Sequence, residues 1–545
     1  MTIPPWKAKV PFLCNGAIYL LLSAWFLIAA LDQTHGTQIF LTDDAYIHAA
    51  LAKNLVLHGT FSVSPPDYSS CSSSIIWPLL LAGCFAIFGI HLWIILALNA
   101  ISALASLWIA DSLMEELAGE GFLRTRGFVL FLLVIAASLV VQTFVGLEHN
   151  LQILTVLLLL RTAVRVLAGE SGGRRALCVY GVLAVMCRYE AVFAIMLIFV
   201  FLCWQRRFVL GIVLSAVSAV PVFAASAYGL SKGALLLPNS LLLKSTDANR
   251  WRLFPSIAWP ADYPLFLLVS GGALLVVCLL IVLTQFLGNK SLRLPDKPRM
   301  FLYLVTALML MHFQFARTGW VLSYEAYLIA LALIGCACFF IVYARNQESP
   351  AERRNIVLVY VAMAVVVVGI RVYQCDLDLR KGFSQIYLQQ FQMARFLAQY
   401  YPNAPVAIND IGLIAYYQPR KIMDVYGLAS TEITNLKLHG GFDADALLRI
   451  ADATGVHVAL VYRQTLGGAL PPQWRPAGSW KLPEPYIVGG DTVSFYAVND
   501  ADLEPLQQAL SGYAPCLPRI IAQNGYPIQS DRPCKDQPLP AGWIW

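Results

Sequence analysis

The sequence has few charged residues for its length. Asp, Glu, Lys and Arg make up 13% of the 545 residues, whereas they make up roughly 25% of an average soluble protein. Hydrophobic residues account for 58% of the chain. This composition excludes a protein that is soluble throughout. Because apolar runs of membrane-spanning length recur as far as Tyr373, it predicts a polytopic α-helical membrane protein.

Other features that are missing exclude further classes of protein. No Gly-rich phosphate-binding loop lies between a strand and a helix, which argues against an enzyme that uses nucleotide sugars. No internal repeat is visible, which weakens any interpretation as an inverted-repeat transporter. The net charge is a modest +6, and we expect no nucleic-acid partner.

The basic residues predict how the chain is threaded through the membrane. The first apolar run, Pro11 to Leu31, has the length of a bilayer span rather than of a signal-peptide core. With the N-terminus in the cytoplasm, every later cluster of Lys and Arg falls in a cytoplasmic loop, as the positive-inside rule requires. We expect about nine to eleven spans in a bacterial inner membrane, with the C-terminal part in the periplasm.

The pattern also divides the chain into two domains. Residues 1–375 are expected to form a transmembrane domain whose first outer loop covers residues 32–74, and residues 376–545 a soluble periplasmic α/β domain. The apolar run Ile75 to Leu117 is interrupted near Gly89. Because the run is expected to cross the membrane only once in net terms, one of its two parts must be short or re-entrant. Another run, Ala176 to Trp204, begins and ends inside and is therefore a hairpin.

The soluble part shows both helical and strand periodicity. After Pro505 the sequence is rich in Pro, Gly and Asn, and we expect it to be irregular. The predicted helices and strands are Phe383–Gln399, Val406–Ile408, Ala444–Thr454, Val456–Val461 and Val493–Ala497.

Four of the twelve cysteines are expected outside the membrane, at positions 71, 375, 516 and 534. Cys516 and Cys534 flank an irregular tail, so a disulfide between them is favoured if that side is oxidising. Four cysteines allow three pairings, and the sequence leaves the choice open.

Two adjacent carboxylates, Asp43 and Asp44, follow the first span by about ten residues. A carboxylate at this place lies between lipid and water, where a lipid-carried substrate meets a hydrophilic one. The alternative is structural, because Asp44 is a good N-cap for a helix that starts at Ala45.

Further polar residues are predicted on the same side of the membrane. Charged groups near the centre of a bilayer cost about 2.5–3.5 kcal/mol each, so their convergence indicates a site. Simpler explanations exist: Arg188 and Glu190 neutralise each other, His149 caps a helix, and Lys244 and Arg317 lie among lipid headgroups. The converging residues are Asp43, Asp44, His48, Glu148, His149, Arg188, Glu190, Lys244, Arg317 and Glu325.

The order of these short motifs resembles one known family. The motifs are Asp43-Asp44-Ala45-Tyr46-Ile47, Gly146-Leu147-Glu148, Arg188-Tyr189-Glu190 (Arg-Pro-Glu in most relatives), Asn239-Ser240 with Lys244, and Asp424-Val425-Tyr426-Gly427-Leu428. The pattern resembles the GT-C glycosyltransferases that use polyprenyl-phosphate sugars. It is most similar to the AftB-like lipid-linked arabinofuranosyltransferases of cell-wall synthesis and to their relatives that arabinosylate pilin. The tail after about Pro505 matches nothing in this family.

The resemblance implies an inverting transfer of a sugar, D-arabinofuranose, from a polyprenyl-phosphate donor to a glycan or protein acceptor outside the cytoplasm. An aspartate of the first outer loop would act as general base. We favour Asp44, because His48 lies one helical turn further and would orient it. Asp43 remains the competing base, and Asp43 or Glu148 would stabilise the oxocarbenium-like sugar.

The remaining polar residues would bind substrate. Positive charge on Arg188, Lys244 or Arg317 would stabilise the departing phosphate. In the soluble domain, Asp410 and Asp424 lie in loops that would cover the cavity and bind the acceptor, although ordinary strand–turn geometry explains these loops equally well. His48, Glu148, His149 and Glu190 complete the predicted substrate-binding set.

No cofactor is certain from the sequence. A divalent cation is an open alternative, because Asp44, Glu148 and His149 offer oxygen and nitrogen ligands. No closely spaced metal-binding motif supports it.

Two rival functions remain. A flippase for lipid-linked sugars would also place polar groups in the membrane, but it requires neither the carboxylate-bearing loop nor a large outer domain. A GT-C enzyme that transfers mannose, glucose or aminoarabinose fits the residues as well, since the sugar is recognised by the shape of the cavity.

Overall fold

The computed structural model describes residues 9–170, 172–244, 271–287, 292–319, 321, 324–418, 420–485 and 487–526. The first part of the chain is a bundle of α-helices. Its described helices are α1 (Val10–Gln33), α2 (Asp43–His58), α3 (Ile76–Phe88), α4 (Trp93–Ala118), α5 (Leu123–Ile135), α6 (Leu139–Val145), α7 (His149–Leu167), α8 (Arg174–Cys187), α9 (Ala191–Trp204), α10 (Phe208–Ser231), α11 (Asn239–Lys244), α12 (Gly272–Leu287), α13 (Asp296–Phe315), α14 (Ala326–Arg345) and α15 (Pro350–Ile386).

The bundle has the dimensions and surface of a multi-pass membrane protein. Within the described ranges, six segments are long and apolar enough to cross a membrane, namely α1, α4, α5 with α6, α7, α10 and α14. Three shorter apolar helices, α3, α9 and α12, accompany them. Large apolar side chains such as Leu21, Trp25 and Phe223 are exposed on the outside, which is the arrangement expected where the solvent is lipid.

The helix breaks expected from the sequence are present. Helix α3 ends at Phe88 and α4 begins at Trp93, so α3, with 13 residues, is the short member of this pair. Helices α8 and α9 form the predicted hairpin. A further break at Ser138, which has a positive φ of 59°, separates α5 from α6 and was not predicted.

The two ends of the bundle carry different charged residues. At the C-terminal end of α7, Arg161 pairs with Glu116 at 2.9 Å, and Lys297 pairs with Glu170 at 2.6 Å. Glu148 precedes the other end of α7. Helix α7 has 19 residues, or about 27 Å of length, so this basic network and the predicted site lie at opposite ends of the bundle.

The C-terminal part is a mixed α/β domain built on six strands in the order β2-β1-β3-β5-β4-β6. Strand β1 is parallel to β2 and β3, and the remaining pairs are antiparallel. The elements are α16 (Gln392–Tyr400), β1 (Val406–Ile408), α17 (Gly412–Tyr417), β2 (Ile422–Asp424), α18 (Thr431–His439), α19 (Ala444–Thr454), β3 (Val458–Val461), α20 (Arg463–Leu466), β4 (Arg475–Lys481), β5 (Thr492–Ala497), α21 (Leu503–Tyr513) and β6 (Ala522–Asn524).

Both faces of this sheet are buried. Alternate residues along a strand point to opposite faces, so Ala407 and Ala459 belong to the core beneath α19, whereas Ile408 and Leu460 belong to the core shared with the helical bundle. This agrees with the expected fold: a helical membrane part followed by a mixed α/β domain.

Several boundaries differ from the expectations. Helix α15 runs without a break through the domain boundary expected at 375/376, so one helix connects both parts. The irregular structure expected after Pro505 is wrong for the described residues 506–526, because α21 passes through Pro505 and β6 follows it; residues 527–545 lie outside the described part of the chain. Pro505 is the third residue of α21, where its missing N–H costs no helical hydrogen bond.

The cysteines follow the expectation in part. Cys71 and Cys375 are free and buried, whereas Cys516 is disulfide-bonded. Cys534 lies outside the described residues, as do the first residues of the run expected from Pro264 to Leu287 and the basic residue Lys290.

Candidate active site

The loop of residues 32–74, which contains α2, packs directly on the C-terminal domain. Helix α2 of this loop lies against α17, and the contact is so close that a Cβ atom on Gly412 would come within 2.1 Å of the Asp43 carbonyl oxygen. Lys53 Nζ donates to the Tyr416 carbonyl at 2.5 Å. The loop therefore joins the membrane part to the soluble part.

Asp43 and Asp44 form the first turn of α2. The N-cap position belongs to Thr42, so the prediction that Asp44 caps a helix starting at Ala45 is wrong. Negative charge in a first turn is favourable, because the N-terminus of a helix carries partial positive charge.

Asp43 is held by the C-terminal domain. Its Oδ2 accepts the backbone N–H of Gly412 at 2.6 Å, and its Oδ1 accepts the N–H of Leu413 at 2.8 Å. Burial and the nearby Asp410 raise the pKa of Asp43 to about 8, although these two N–H groups favour the ionised form. Asp43 thus caps α17 from outside the helix.

Asp410 lies beside this contact, at the end of β1. Gln390 Nε2 and the Tyr462 hydroxyl donate to its Oδ2 at 2.6 and 2.5 Å, and Asn409 Nδ2 donates to Oδ1 at 3.1 Å. Burial raises the pKa of Asp410, and the negative charge of Asp44 adds to this effect. Three carboxylates, two from the loop and one from the C-terminal domain, therefore meet at the interface.

A second cluster surrounds Glu148, between α6 and α7. Its Oε1 accepts from Ser73 Oγ at 3.0 Å and from Arg188 Nη1 at 2.9 Å, and His48 Nδ1 lies 3.5 Å from its Oε2. Burial alone would raise the pKa of Glu148, but its interactions with His48 and with the Arg188 guanidinium outweigh burial and lower this pKa to about 2. Glu148 is a buried carboxylate that stays ionised.

Arg188 connects two carboxylates. It donates to Glu190 through Nε at 3.1 Å and through Nη2 at 2.6 Å, in addition to its bond with Glu148. Its guanidinium lies 5.4 Å from the centre of the Tyr324 ring. The simple explanation that Arg188 and Glu190 neutralise each other is thus correct in part, and Glu148 adds a second negative charge.

His149 is buried next to this cluster. Its Nδ1 lies 3.3 Å from Gln152 Oε1, and its buried Nε2 has no hydrogen-bond partner among the described residues. Because His149 is the first residue of α7 and the N-cap position belongs to Glu148, the cap expected for His149 is wrong. The free ring nitrogen is a polar atom available to a ligand.

His48 belongs to the same helix as the Asp pair and contacts the Glu148 cluster. It lies one helical turn beyond Asp44, and its ring contacts Glu148 and, at 3.4 Å from Nε2, Ser72 Oγ. The contact with Glu148 was not predicted, and the role of orienting Asp44 stays a prediction. Gly146 allows the loop that contains Phe40 to pack closely beside Glu148, since a Cβ atom on residue 146 would come within 2.6 Å of the Phe40 ring.

Other predicted site residues have different surroundings. Asp424 is buried, and its carboxylate accepts the N–H groups of Tyr426, Gly427 and Ala429 at 2.6–2.9 Å, as the strand–turn alternative predicts. Arg317 has an exposed side chain, and its carbonyl lies 3.0 Å from His312 Nε2. The side chain of Lys244 lies outside the described part of the chain.

Glu325, at the start of α14, belongs to a separate buried ion pair. Its Oε1 accepts from Arg371 Nη1 at 2.8 Å, and its Oε2 accepts the N–H of Gly319 at 2.8 Å. The sequence analysis did not identify Arg371. A signal was available, because Arg371 is a charged residue inside the apolar run that ends at Tyr373. Ser73, Tyr324, Gln390 and Tyr462 were missed as well, and the sequence contains no local signal for them.

The residues suggested for a metal do not form a site. Among the described residues, no three His, Cys, Asp or Glu side chains are grouped so that they could hold a metal ion. Glu148 is already bonded to Arg188 and Ser73, so the set of Asp44, Glu148 and His149 does not fit a cation.

One family model covers part of the C-terminal domain. The family model of a domain of unknown function, DUF8728, matches residues 384–496. No curated protein sequence matches the chain.

Comparison with solved structures reveals the fold. The crystal structure of ArnT from Cupriavidus metallidurans bound to undecaprenyl phosphate is similar over 89% of this chain and 98% of its own, with a TM-score of 0.52 and 13% identity. Two less similar structures are the Archaeoglobus fulgidus oligosaccharyltransferase with zinc and sulfate (TM-score 0.48, 12% identity, 88% of this chain and 73% of that one) and the mycobacterial arabinofuranosyltransferase AftD (0.43, 13%, 89% and 42%). The likeness to ArnT covers nearly the whole of both chains and confirms the expected GT-C-like fold.

Proposed function

We propose that this protein is an inverting glycosyltransferase that moves a sugar from a polyprenyl-phosphate donor to an acceptor on the outer side of the membrane. The observation that supports it is the meeting of two polar clusters at one end of the bundle. One contains Asp43, Asp44 and Asp410, the other Glu148 and Arg188, and His48 lies between them. The fold shared with ArnT, which was crystallised with undecaprenyl phosphate, supports the nature of the donor.

Asp44 is the general base in this proposal. Asp43 has both carboxylate oxygens engaged by N–H groups of α17, so deprotonating an acceptor would require it to give up the domain contact. Asp44 takes the proton of the acceptor hydroxyl as this oxygen bonds to C1 of the sugar. The bond from C1 to the phosphate oxygen breaks, and polyprenyl phosphate leaves with the electron pair. Such a base contributes about 10²–10⁴-fold to the rate.

The Glu148 cluster binds the donor. The sugar becomes oxocarbenium-like as the phosphate departs, and the ionised Glu148 supplies negative charge to stabilise it. Arg188, together with Lys244 and Arg317, supplies positive charge for the phosphate. Since Glu148 and Glu190 already compensate the charge of Arg188, we infer that phosphate binding redistributes its bonds, with Glu190, the more exposed of the two carboxylates, giving way.

The sugar and acceptor follow from the sequence resemblance. We propose D-arabinofuranose as the sugar and a glycan or protein as the acceptor, with mannose, glucose and aminoarabinose as alternatives. Asp410 of the soluble domain faces the same junction as Asp44 and would bind the acceptor. In this arrangement the helical part spans a bacterial inner membrane, with the N-terminus in the cytoplasm and the soluble domain in the periplasm.

The test is sugar transfer by the purified full-length protein from synthetic polyprenyl-phosphate sugars, without a membrane potential. Asp44→Asn is expected to lower turnover by about 10²-fold or more, with an unchanged melting temperature. Asp32→Asn, which alters an exposed carboxylate at the start of the same loop, is the matched control.

Two other outcomes would contradict different parts of the proposal. Wild-type turnover in Asp44→Asn would refute the base assignment. Absence of transfer with every donor, combined with movement of the lipid-linked sugar across a vesicle membrane, would favour the flippase instead.

A further inference from the structure

Three consecutive serines, Ser72, Ser73 and Ser74, end the loop of residues 32–74 beside the Glu148 cluster. They have the same side chain, but the structure places them differently. Ser72 and Ser74 are buried, whereas Ser73 is half-buried. The proposed sugar transfer gives none of the three a role.

Ser72 and Ser74 shape the turn. The Ser72 hydroxyl donates to the Ser74 carbonyl at 2.5 Å and accepts the N–H of Ser74 at 3.2 Å. The Ser74 hydroxyl accepts the N–H of Trp77 at 3.1 Å and donates to the Met186 carbonyl at 3.3 Å. Met186 lies at the end of α8, so these bonds fix the turn to the helix that leads into Arg188.

The hydroxyl of Ser73 is directed at Glu148 instead, and it donates to Glu148 Oε1 at 3.0 Å. Although burial raises the pKa of Glu148, His48 and Arg188 lower it to about 2. Glu148 is therefore an ionised carboxylate, which accepts hydrogen bonds and has none to donate. The single hydroxyl proton of Ser73 is committed to Glu148, and the Ser73 oxygen has no second hydrogen-bond partner in the part of the chain that the structure describes.

This commitment decides which ligand groups fit Ser73. A serine oxygen has acceptor lone pairs besides its O–H, and its bond to a negative carboxylate makes it a stronger acceptor. A further partner of Ser73 must therefore be a donor. The oxygens of a phosphate diester carry no proton and do not fit, whereas a sugar hydroxyl does.

Ser73 also lies where such a hydroxyl would be. Glu148 is fully buried, so a substrate reaches this side of the cluster at the half-buried Ser73. Arg188 Nη1 bonds the same oxygen, Glu148 Oε1, at 2.9 Å, which makes Ser73 and the proposed phosphate ligand neighbours. In a polyprenyl-phosphate sugar the sugar and the phosphate are neighbours too, since one C1–oxygen bond joins them.

We propose that Ser73 determines donor specificity by accepting a hydrogen bond from a hydroxyl of the sugar that the phosphate carries. This inference rests on the proposed function. It deepens that function, because Glu148 then acts on the sugar through the Ser73 hydroxyl rather than by direct contact. An analogue that lacks this sugar hydroxyl leaves a polar group of the site unpaired and is rejected for that reason.

The experiment compares the donor that the wild type uses with synthetic analogues that each lack one hydroxyl of the sugar. It measures kcat/KM with the purified full-length protein in detergent. In the wild type, at least one analogue should be poorer than the complete donor by about tenfold or more. Ser73→Ala should reduce this ratio to less than about threefold, mainly by lowering kcat/KM for the complete donor.

Ser231→Ala is the matched control, because Ser231 is exposed and its hydroxyl bonds the Tyr228 carbonyl at 2.7 Å. It should keep the ratio of the wild type. A merely structural role of Ser73 would lower kcat/KM equally for all donors, so an unchanged ratio in Ser73→Ala overturns the proposal. A wild type that accepts every analogue as well as the complete donor overturns it too.

Two further variants keep the test valid if Ser73→Ala does not fold. Ser73→Cys keeps nearly the same volume but offers a weaker acceptor, so it should also reduce the ratio. Ser73→Thr keeps the hydroxyl and should preserve the ratio. The opposite ranking of these two variants contradicts the proposal.

Binding of the same donors separates this inference from the proposed transfer. The apparent Kd is measured from the rise in melting temperature with donor concentration. If the wild type binds donors without transferring the sugar, the proposed function is wrong, and the Kd ratio between complete donor and analogue still decides the role of Ser73. Transfer that is independent of Ser73 refutes this inference alone, and no binding of any donor refutes both.

Discussion

The carboxylate of Asp43, in the loop that follows α1, caps Gly412 of the C-terminal domain, with 2.6 Å between Oδ2 and the backbone nitrogen. These residues are 369 positions apart in the chain. The bond places the neighbouring Asp44 at the junction of two domains, so the geometry of the proposed base depends on how the domains pack.

Gly412→Ala tests this dependence. A Cβ atom at position 412 would lie 2.1 Å from the Asp43 carbonyl oxygen, so the two helices must separate. Overpacking of this kind costs about 1–3 kcal/mol, and we expect a lower melting temperature together with a loss of transfer. Gly468→Ala is the control, since nothing lies within 4 Å of its Cβ position. Equal behaviour of the two variants would contradict the close packing.

The pKa of Asp43 predicts a pH dependence of stability. Burial and Asp410 raise this pKa from 3.8 to about 8 in the folded protein. Between these values the folded state binds a proton that the unfolded state has released, so stability decreases as the pH rises from about 4 to about 8.

Asp43→Asn should therefore flatten the decrease. At the acidic end of this range the variant is less stable than the wild type, because an amide offers one oxygen to two N–H donors. Melting temperature measured across this pH range checks the slope, with Asp32→Asn as the control. A slope equal to that of the wild type would show that Asp43 does not titrate here.

Glu148 and Glu190 are expected to differ in their effect on stability. Both pair with Arg188, but the Glu148 side chain is fully buried whereas Glu190 is 20% exposed. Breaking a buried ion pair costs about 3–5 kcal/mol, so Glu148→Gln should be destabilised by this amount and Glu190→Gln by about 1–3 kcal/mol. Chemical denaturation in detergent measures both, with the exposed Glu432→Gln as the control. The reverse ranking would contradict the described network.

Arg188→Lys separates charge from shape at the proposed phosphate site. Lysine keeps the positive charge but cannot bond two carboxylates in a fork. The KM for the polyprenyl-phosphate donor should rise by about tenfold, equivalent to about 1.4 kcal/mol, and the KM for the acceptor should change little. A larger effect on the acceptor would place Arg188 outside the donor site.

The sequence alone predicted several helices, although some of their ends differ. The hairpin of α8 and α9 and the helix Ala444–Thr454 were correct, because apolar runs, basic clusters and Gly residues are local signals. The irregular structure expected after Pro505 was wrong for the described residues 506–526, since a composition rich in Pro, Gly and Asn was taken as evidence against regular structure.

What the sequence by itself determined is therefore the class of protein, the order of its helical part and its mixed α/β domain, and the convergence of Glu148 with Arg188. Only the tertiary structure decided which partner each charge takes: Asp43 with the N-terminus of α17, and Glu148 with both Arg188 and Ser73. The physical reason is that hydropathy and charge act over a few neighbouring residues, whereas hydrogen bonds and burial depend on segments brought together from more than a hundred residues apart.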